Sequence, residues 1–246
     1  MKFLVYYIVA GVIVCFVMPV FAEENSAAFK FYSQGLKASV AQEKIEAFNK
    51  AIELNPEFAE AFNSRGILKE EMALWNEAQE DFTRAITLKP DNETFYHNRA
   101  HLKFNQNDYM GAIADYSKAI ALKPKYTSAY YNRGFVKYNA GNWDGSIEDY
   151  TLALTLSSED AVILNNRGVV KFAKNDTDGA IQDFEKAISL NPRYADAYYN
   201  RGIAWYHQKQ FDKAEQDFIK AEQLKNEKPA GSLISNTKLP ALSEKK

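Results

Sequence analysis

The chain has 246 residues, with 30 basic and 32 acidic side chains and one cysteine, Cys15. A formal net charge of −2 offers no bulk attraction to nucleic acid. A single cysteine rules out a disulfide framework.

The first predicted element lies outside the fold. Met1-Lys2 is a short positive start, Phe3 to Val17 is an unbroken apolar run, and Pro19 ends it before Val20-Phe21-Ala22. This pattern reads as a secretory signal peptide over residues 1–22, cleaved after Ala22. The alternative is an uncleaved inner-membrane anchor over residues 3–22, because the run is nearly long enough to span a bilayer. Cys15 is not a lipoprotein site, since Val14 before it is too large and the apolar run continues past it. Cleavage removes the only cysteine, so the mature chain must hold its fold by packing alone, which suits a bacterial periplasm. The expected location is periplasmic or secreted.

Residues 23–58 form a shortened unit that ends at Pro56, followed by a 34-residue period. Arg65, Arg99, Arg133, Arg167 and Arg201 mark it. A large side chain stands three before each arginine (Phe62, Tyr96, Tyr130, Leu164, Tyr198), and glycine follows it at Gly66, Gly134, Gly168 and Gly202, with Ala100 the exception. Further columns are small (Ala78, Ala112, Ser146, Ala180, Ala214), aromatic (Phe82, Tyr116, Tyr150, Phe184, Phe218) and alanine (Ala85, Ala119, Ala153, Ala187, Ala221). Pro90, Pro124 and Pro192 close units, and Ser158 replaces the proline once. A period of this size predicts stacked helical units with a long groove. Apolar residues at helical spacing, such as Ala112, Ile113, Tyr116, Ala119 and Ile120, predict two helices per unit joined by a short turn near Asn139-Ala140-Gly141-Asn142. Small residues on the first helix are expected to face small residues on the second. Proline stops the second helix because it lacks an amide hydrogen.

Sixteen residues after each arginine stands an aspartate: Asp81, Asp115, Asp149, Asp183, Asp217. The five pairs predict partly buried ion pairs between helices, within one unit or across to the next, because an unpartnered buried charge is costly. A lysine column (Lys69, Lys103, Lys137, Lys171, broken by Trp205) either extends this pairing or is a solvated face. At the C-terminal end, the column Ile52, Ile86, Ile120, Leu154, Ile188 becomes Glu222, and the column Ile45, Gln79, Ile113, Ile147, Ile181 becomes Glu215. Both turn polar where no unit follows, so residues 227–246 are expected to be a disordered tail.

These columns resemble those of the tetratricopeptide repeat (TPR) over five units, residues 59–226. The shortened unit at 23–58 continues them upstream as a degenerate cap: Phe48, Ala51, Ile52 and Pro56 keep register, but Gly35 stands 31 residues before Gly66. The resemblance implies an all-α, right-handed α-solenoid of stacked helix-turn-helix units whose first helices line a concave groove. The arginine column departs from the family, which usually has an aliphatic residue there.

On that analogy the residues before the arginines (Ser64, Asn98, Asn132, Asn166, Asn200) border the groove. Their amides either form a ladder for a peptide backbone or satisfy neighbouring helices. Tyr131 and Tyr199 are expected in the groove because Asn63, His97 and Asn165 share their column, and polar residues there imply solvent. His101, Phe135 and Ile203 follow one turn on. Phe104, Tyr138, Phe172 and Tyr206 read as ordinary core. The lysine-rich clamp that other family members use for a C-terminal carboxylate is absent from these columns. His97 and His101 lie one turn apart, but no carboxylate is placed to join them, so no metal site is expected.

The mature chain has no cysteine nucleophile, phosphate loop or dinucleotide fingerprint, and its carboxylates follow the structural period. Neither an enzyme nor a cofactor is expected. The resemblance implies a protein-binding scaffold of the cell envelope that takes an extended segment or helix in the groove of units three to five. It implies no nucleic-acid partner, and membrane contact only through the N-terminal segment. Two other readings are a cell-wall glycan binder stacking sugars on Tyr131, Tyr199 and Trp205, and a structural spacer acting through its tail or cap.

Overall fold

The computed structural model describes residues 8–9, 12–13, 18–157 and 159–226, with side chains from residue 25 onward. Most of the expected signal peptide and all of the expected tail lie outside the described residues. In the N-terminal segment, strands β1 (Ile8–Val9) and β2 (Val12–Ile13) pair antiparallel. Twelve α-helices follow among the described residues. The chain divides into two compact units, Met1–Leu156 and Ser157–Lys246, and the division falls at the one repeat junction without a proline.

The first compact unit contains four helix pairs: α1 (Met18–Lys37) with α2 (Ala41–Leu54), α3 (Ala59–Glu71) with α4 (Trp75–Leu88), α5 (Glu93–Asn105) with α6 (Tyr109–Leu122), and α7 (Thr127–Asn139) with α8 (Trp143–Leu156). The second contains two: α9 (Ala161–Ala173) with α10 (Thr177–Leu190), and α11 (Ala195–His207) with α12 (Phe211–Asn226). Each helix packs on its pair-mate, and within a compact unit each second helix packs on the first helix of the next pair. The architecture is an all-α solenoid of helix-turn-helix units. Helix α1 runs without a break through Ala22, the expected cleavage point. Among the described residues, no helix is long and apolar enough to cross a membrane.

What joins a pair differs from the small-on-small contact expected. The glycine of the first helix meets an aromatic ring of the second. A β-carbon on Gly66 would stand 2.9 Å from the Phe82 ring, one on Gly168 2.6 Å from Phe184, and one on Gly202 2.7 Å from Phe218. Glycine is therefore selected chiefly by an aromatic ring, with backbone also close at Gly202, 3.3 Å from the Ala214 carbonyl. Gly35 meets Phe48 at 2.6 Å in the same way, which fixes the register of the shortened unit. The turn between paired helices has one left-handed residue, at Ala73, Asn107, Gly141, Asn175 and Lys209, with φ between 59° and 77°. Only one of these five is the glycine that such a φ favours. Asp108, Asn142 and Asp176 then cap the second helices, each accepting from the amide of a glycine three residues on (2.9–3.0 Å).

Candidate functional site

Each arginine finds its aspartate within its own helix pair. Arg133 Nε and Nη2 donate to Asp149 Oδ2 and Oδ1 at 2.9 and 2.7 Å, and the same two-point contact recurs at Arg65–Asp81, Arg99–Asp115, Arg167–Asp183 and Arg201–Asp217. The aspartates are buried and the arginines nearly so; the Asp149 side chain is 1% exposed and Arg133 16%. The lysine column extends the pairing. Lys69, Lys103, Lys137 and Lys171 each place Nζ 2.8 Å from the second aspartate oxygen. In the last pair, Trp205 replaces the lysine and carries Lys213 over its ring at 4.3 Å. The guanidinium also lies over the aromatic ring three residues earlier, at Phe62, Tyr96, Tyr130 and Tyr198 (5.4–5.9 Å). These arginines are committed to the fold and are not free to grip an acidic ligand.

One donor of the guanidinium reaches further. Nη1 of Arg65, Arg99 and Arg133 donates to Asn49 Oδ1 (2.6 Å), Thr83 Oγ1 (3.3 Å) and Ser117 Oγ (2.9 Å), on the second helix of the preceding pair. Sequence reading missed this acceptor column. Its signal was a polar residue 16 positions before each arginine.

The asparagine column joins successive first helices. Asn98 Nδ2 donates to Asn63 Oδ1 and Asn200 Nδ2 to Asn165 Oδ1, both at 2.9 Å, and Asn132 Nδ2 lies 3.0 Å from His97 Nε2. This corrects the reading of Asn63 and Asn165 as solvent-facing. They are 8% and 4% exposed, because the amide of the next pair covers them and supplies the hydrogen bond that burial demands. Asn166 accepts from Asn165 Nδ2 at 3.3 Å.

His97 and His101 do not face one another. His97 stacks on Tyr126 and meets the edge of Tyr116, and burial lowers its pKa. His101 Nδ1 lies 2.7 Å from Glu70 Oε1, which also accepts from Asn105 Nδ2 at 2.9 Å. The Glu70 hydrogen bond raises the His101 pKa. Glu70 is the polar exception in the column Phe104, Tyr138, Phe172 and Tyr206, so sequence reading did not find it. Among the described residues, no group of three or more potential ligands could hold a metal.

Tyr131 is half-buried against Tyr150, while Tyr199 is exposed and lies against Phe218 with Lys225 over its ring. Phe135 packs edge-on to Phe104, and Ile203 is half-buried. Phe104 and Phe172 pack against buried clusters. Tyr206 departs from the core reading: it is 59% exposed and meets only the edge of Phe211 among the described rings. Phe104 and Phe172 of the same column meet rings on the next first helix, Phe135 and His207, and no described pair follows Tyr206. Exposed apolar side chains on the first helices include Phe29 and Leu36 of α1, Ile67 of α3 and Val162 of α9. Leu36 and Ile67 border an open cleft of about 170 Å³ floored by Gly35, Phe48 and Leu68.

Helix pairs repeating every 34 residues, joined by arginines that bond two successive pairs, define a helical-repeat protein. Residues 100–141 and 170–209 match the TPR repeat profile, and residues 195–227 match the tetratricopeptide repeat profile. The chain carries tetratricopeptide repeats at these residues. No curated protein matches its sequence. Among solved structures, Pseudomonas aeruginosa PilF superposes with a TM-score of 0.70 over 84% of this chain and 95% of its own, at 15% identity. A tetratricopeptide repeat protein of Parabacteroides merdae gives 0.67 over 83% and 79%, at 19% identity. YrrB, described as a TPR protein with an unusual peptide-binding site, gives 0.62 over 74% and 94%, at 22% identity. At these identities the likeness is one of fold.

Proposed function

We propose that this chain is a non-enzymatic adaptor that holds a partner polypeptide, as an extended segment or a helix, along the face built by the first helices within a compact unit. The observation that carries this reading is the exposed pair Leu36 and Ile67, on α1 and α3, bordering one open cleft, with Phe29 exposed two turns before Leu36 on α1. Exposed apolar side chains gathered at a concavity favour a partner that covers them. Glu70, one turn after Ile67 on α3, is bonded to His101 and Asn105 of α5 and supplies polar contacts. Asn98, Asn132 and Asn200 lie half-buried on this face and tie successive first helices together, with Asn98 also bonded to His97 and Asn132 to Tyr116, so they hold the face in shape for a partner. Phe135, Tyr131, Tyr199 and Ile203 add apolar surface in their own compact units. Asn63 and Asn165 act only by holding that face together. The peptide-binding site named for YrrB is consistent with this use of the fold.

The apolar N-terminal run supports a place in the cell envelope, periplasmic or secreted, with an inner-membrane anchor as the variant if residues 1–22 are retained. The glycan reading is weakened, because Lys213 and Lys225 already lie over the rings of Trp205 and Tyr199.

The test is site-specific photo-crosslinking in the envelope, with a photoreactive residue at Leu36, at Ile67, or at the exposed Lys118 on α6. The expected result is a discrete protein adduct at Leu36 and Ile67 and none at Lys118. Equal capture at all three positions, or capture at Lys118 alone, would sink the reading.

A further inference from the structure

The first and last helices expose the faces on which the repeat normally stacks. Those two faces are complementary in register and opposite in charge. Register comes from the interior joints. Where Arg65, Arg99 and Arg133 bond to Asn49, Thr83 and Ser117, two antiparallel helices are aligned at that point. The residues four before and three after each arginine then lie beside those three after and four before its acceptor. All of these flanking positions but Gln79 are apolar. On the first helices they are Ala61, Phe95 and Ala129, then Leu68, Leu102 and Val136, all buried. On the second helices they are Ile52, Ile86 and Ile120, then Ile45, Gln79 and Ile113. Ile86, Phe95, Ile120, Ala129, Val136 and Ile113 belong to one cluster.

At the chain's two ends the same positions change character. The contact of Gly35 with Phe48 puts Gln34 in the arginine column of α1, so the flanking positions are Lys30 and Lys37, both exposed. On α12 the acceptor column holds Ile219, which is 49% exposed, and its flanks are Glu222 and Glu215, also exposed. The acceptor is polar wherever an arginine follows and apolar where none does. Solvation alone would be served by any polar residue at either end, whereas here one face carries only cations at its flanks and the other only anions.

We infer that copies of this chain associate head to tail. Helix α12 of one copy packs on α1 of the next, with Glu222 opposite Lys30, Glu215 opposite Lys37, and Ile219 against Gln34. The contact is heterologous, so each added copy leaves one acidic and one basic face open for another. Its strength is electrostatic and falls with salt.

The experiment is sedimentation equilibrium of the purified chain at about 50 mM and about 0.5 M salt. Three proteins are compared: wild type, the double variant K30E/K37E, and the double variant E215K/E222K. All four positions are exposed, so matching circular-dichroism melts establish that both variants fold. Wild type is expected to gain mass with concentration at low salt. Each variant alone is expected to weaken association at least about tenfold, through like charges at the joint. An equimolar mixture of the two variants is expected to recover it, since every joint between unlike copies then pairs opposite charges. A wild type that stays monomeric at low salt, association that survives either swap, or a mixture that fails to recover would each overturn the proposal. These readouts do not depend on the partner-binding face.

Discussion

The helix pairs α1–α2 and α7–α8 share one contact and differ in another. Both seat a glycine against a buried ring, Gly35 on Phe48 and Gly134 on Tyr150. Only the second adds Arg133, Asp149 and Lys137. A helix pair therefore forms without the ions, and the ion cluster serves something else. Arg133 locks its own pair through Asp149 and reaches the preceding pair through Ser117. The ring contact makes the unit, and the charge sets how units stack.

The largest effect that would break this comparison is Asp149→Ala. It strands two cations beside a position that is 1% exposed, and the expected loss is about 3–5 kcal/mol by chemical denaturation. In the last pair, Asp217→Ala strands only Arg201, which also feels Glu185, so the expected loss is about 1–3 kcal/mol. Equal losses at the two sites would show that the lysine column adds nothing. Gly168→Ala tests the other half of the comparison. Its β-carbon would stand 2.6 Å from the Phe184 ring, and overpacking is expected to cost about 1–3 kcal/mol. Gly134→Ala, at 3.1 Å from Tyr150, is expected to cost less than about 1 kcal/mol, as the natural Ala100 beside Tyr116 indicates. Ala73→Gly, at φ 59° in the inter-helix turn, is expected to stabilise by about 1 kcal/mol, read as a rise in melting temperature.

The smallest expected effect is on pH dependence. Burial holds the His97 pKa below its unfolded value, so the folded chain resists protonation there. The stability this gives is full above the unfolded pKa of about 6.5 and is lost as pH falls below that value and through the folded pKa. His97→Asn, the residue this column carries at Asn63 and Asn165, is expected to flatten that acid-side loss in melts recorded against pH. His101 has the opposite sign. Its pKa is raised by Glu70, so its contribution is full below the unfolded pKa and is lost as pH rises through the folded one. An unchanged acid branch in the His97 variant would mean that its ring is not desolvated.

The helical pairing was legible because 34-residue columns repeat five times, and the arginine–aspartate spacing was legible for the same reason. The choice between pairing within a unit and across units was not, since a spacing of 16 fits either. Asn63 and Asn165 misled because a polar residue reads as solvent-exposed until the amide 35 residues later is seen to cover it. Tyr206 misled in the other direction: its column is packed elsewhere, but packing needs a following helix. Glu70 was invisible because its column is otherwise aromatic and its contact with His101 is made once. Periodic contacts leave a trace in one sequence, and single contacts and chain ends do not.

The backward reach of Arg65, Arg99 and Arg133 also governs how the first compact unit comes apart. Opening one helix pair strips a hydrogen-bond acceptor from the arginine of the next, so local fraying propagates instead of stopping at a turn. Amide exchange across α2 to α8 is therefore expected to report one shared opening event. The outer face of α1, which has no arginine to hold it from behind, is where that unzipping starts.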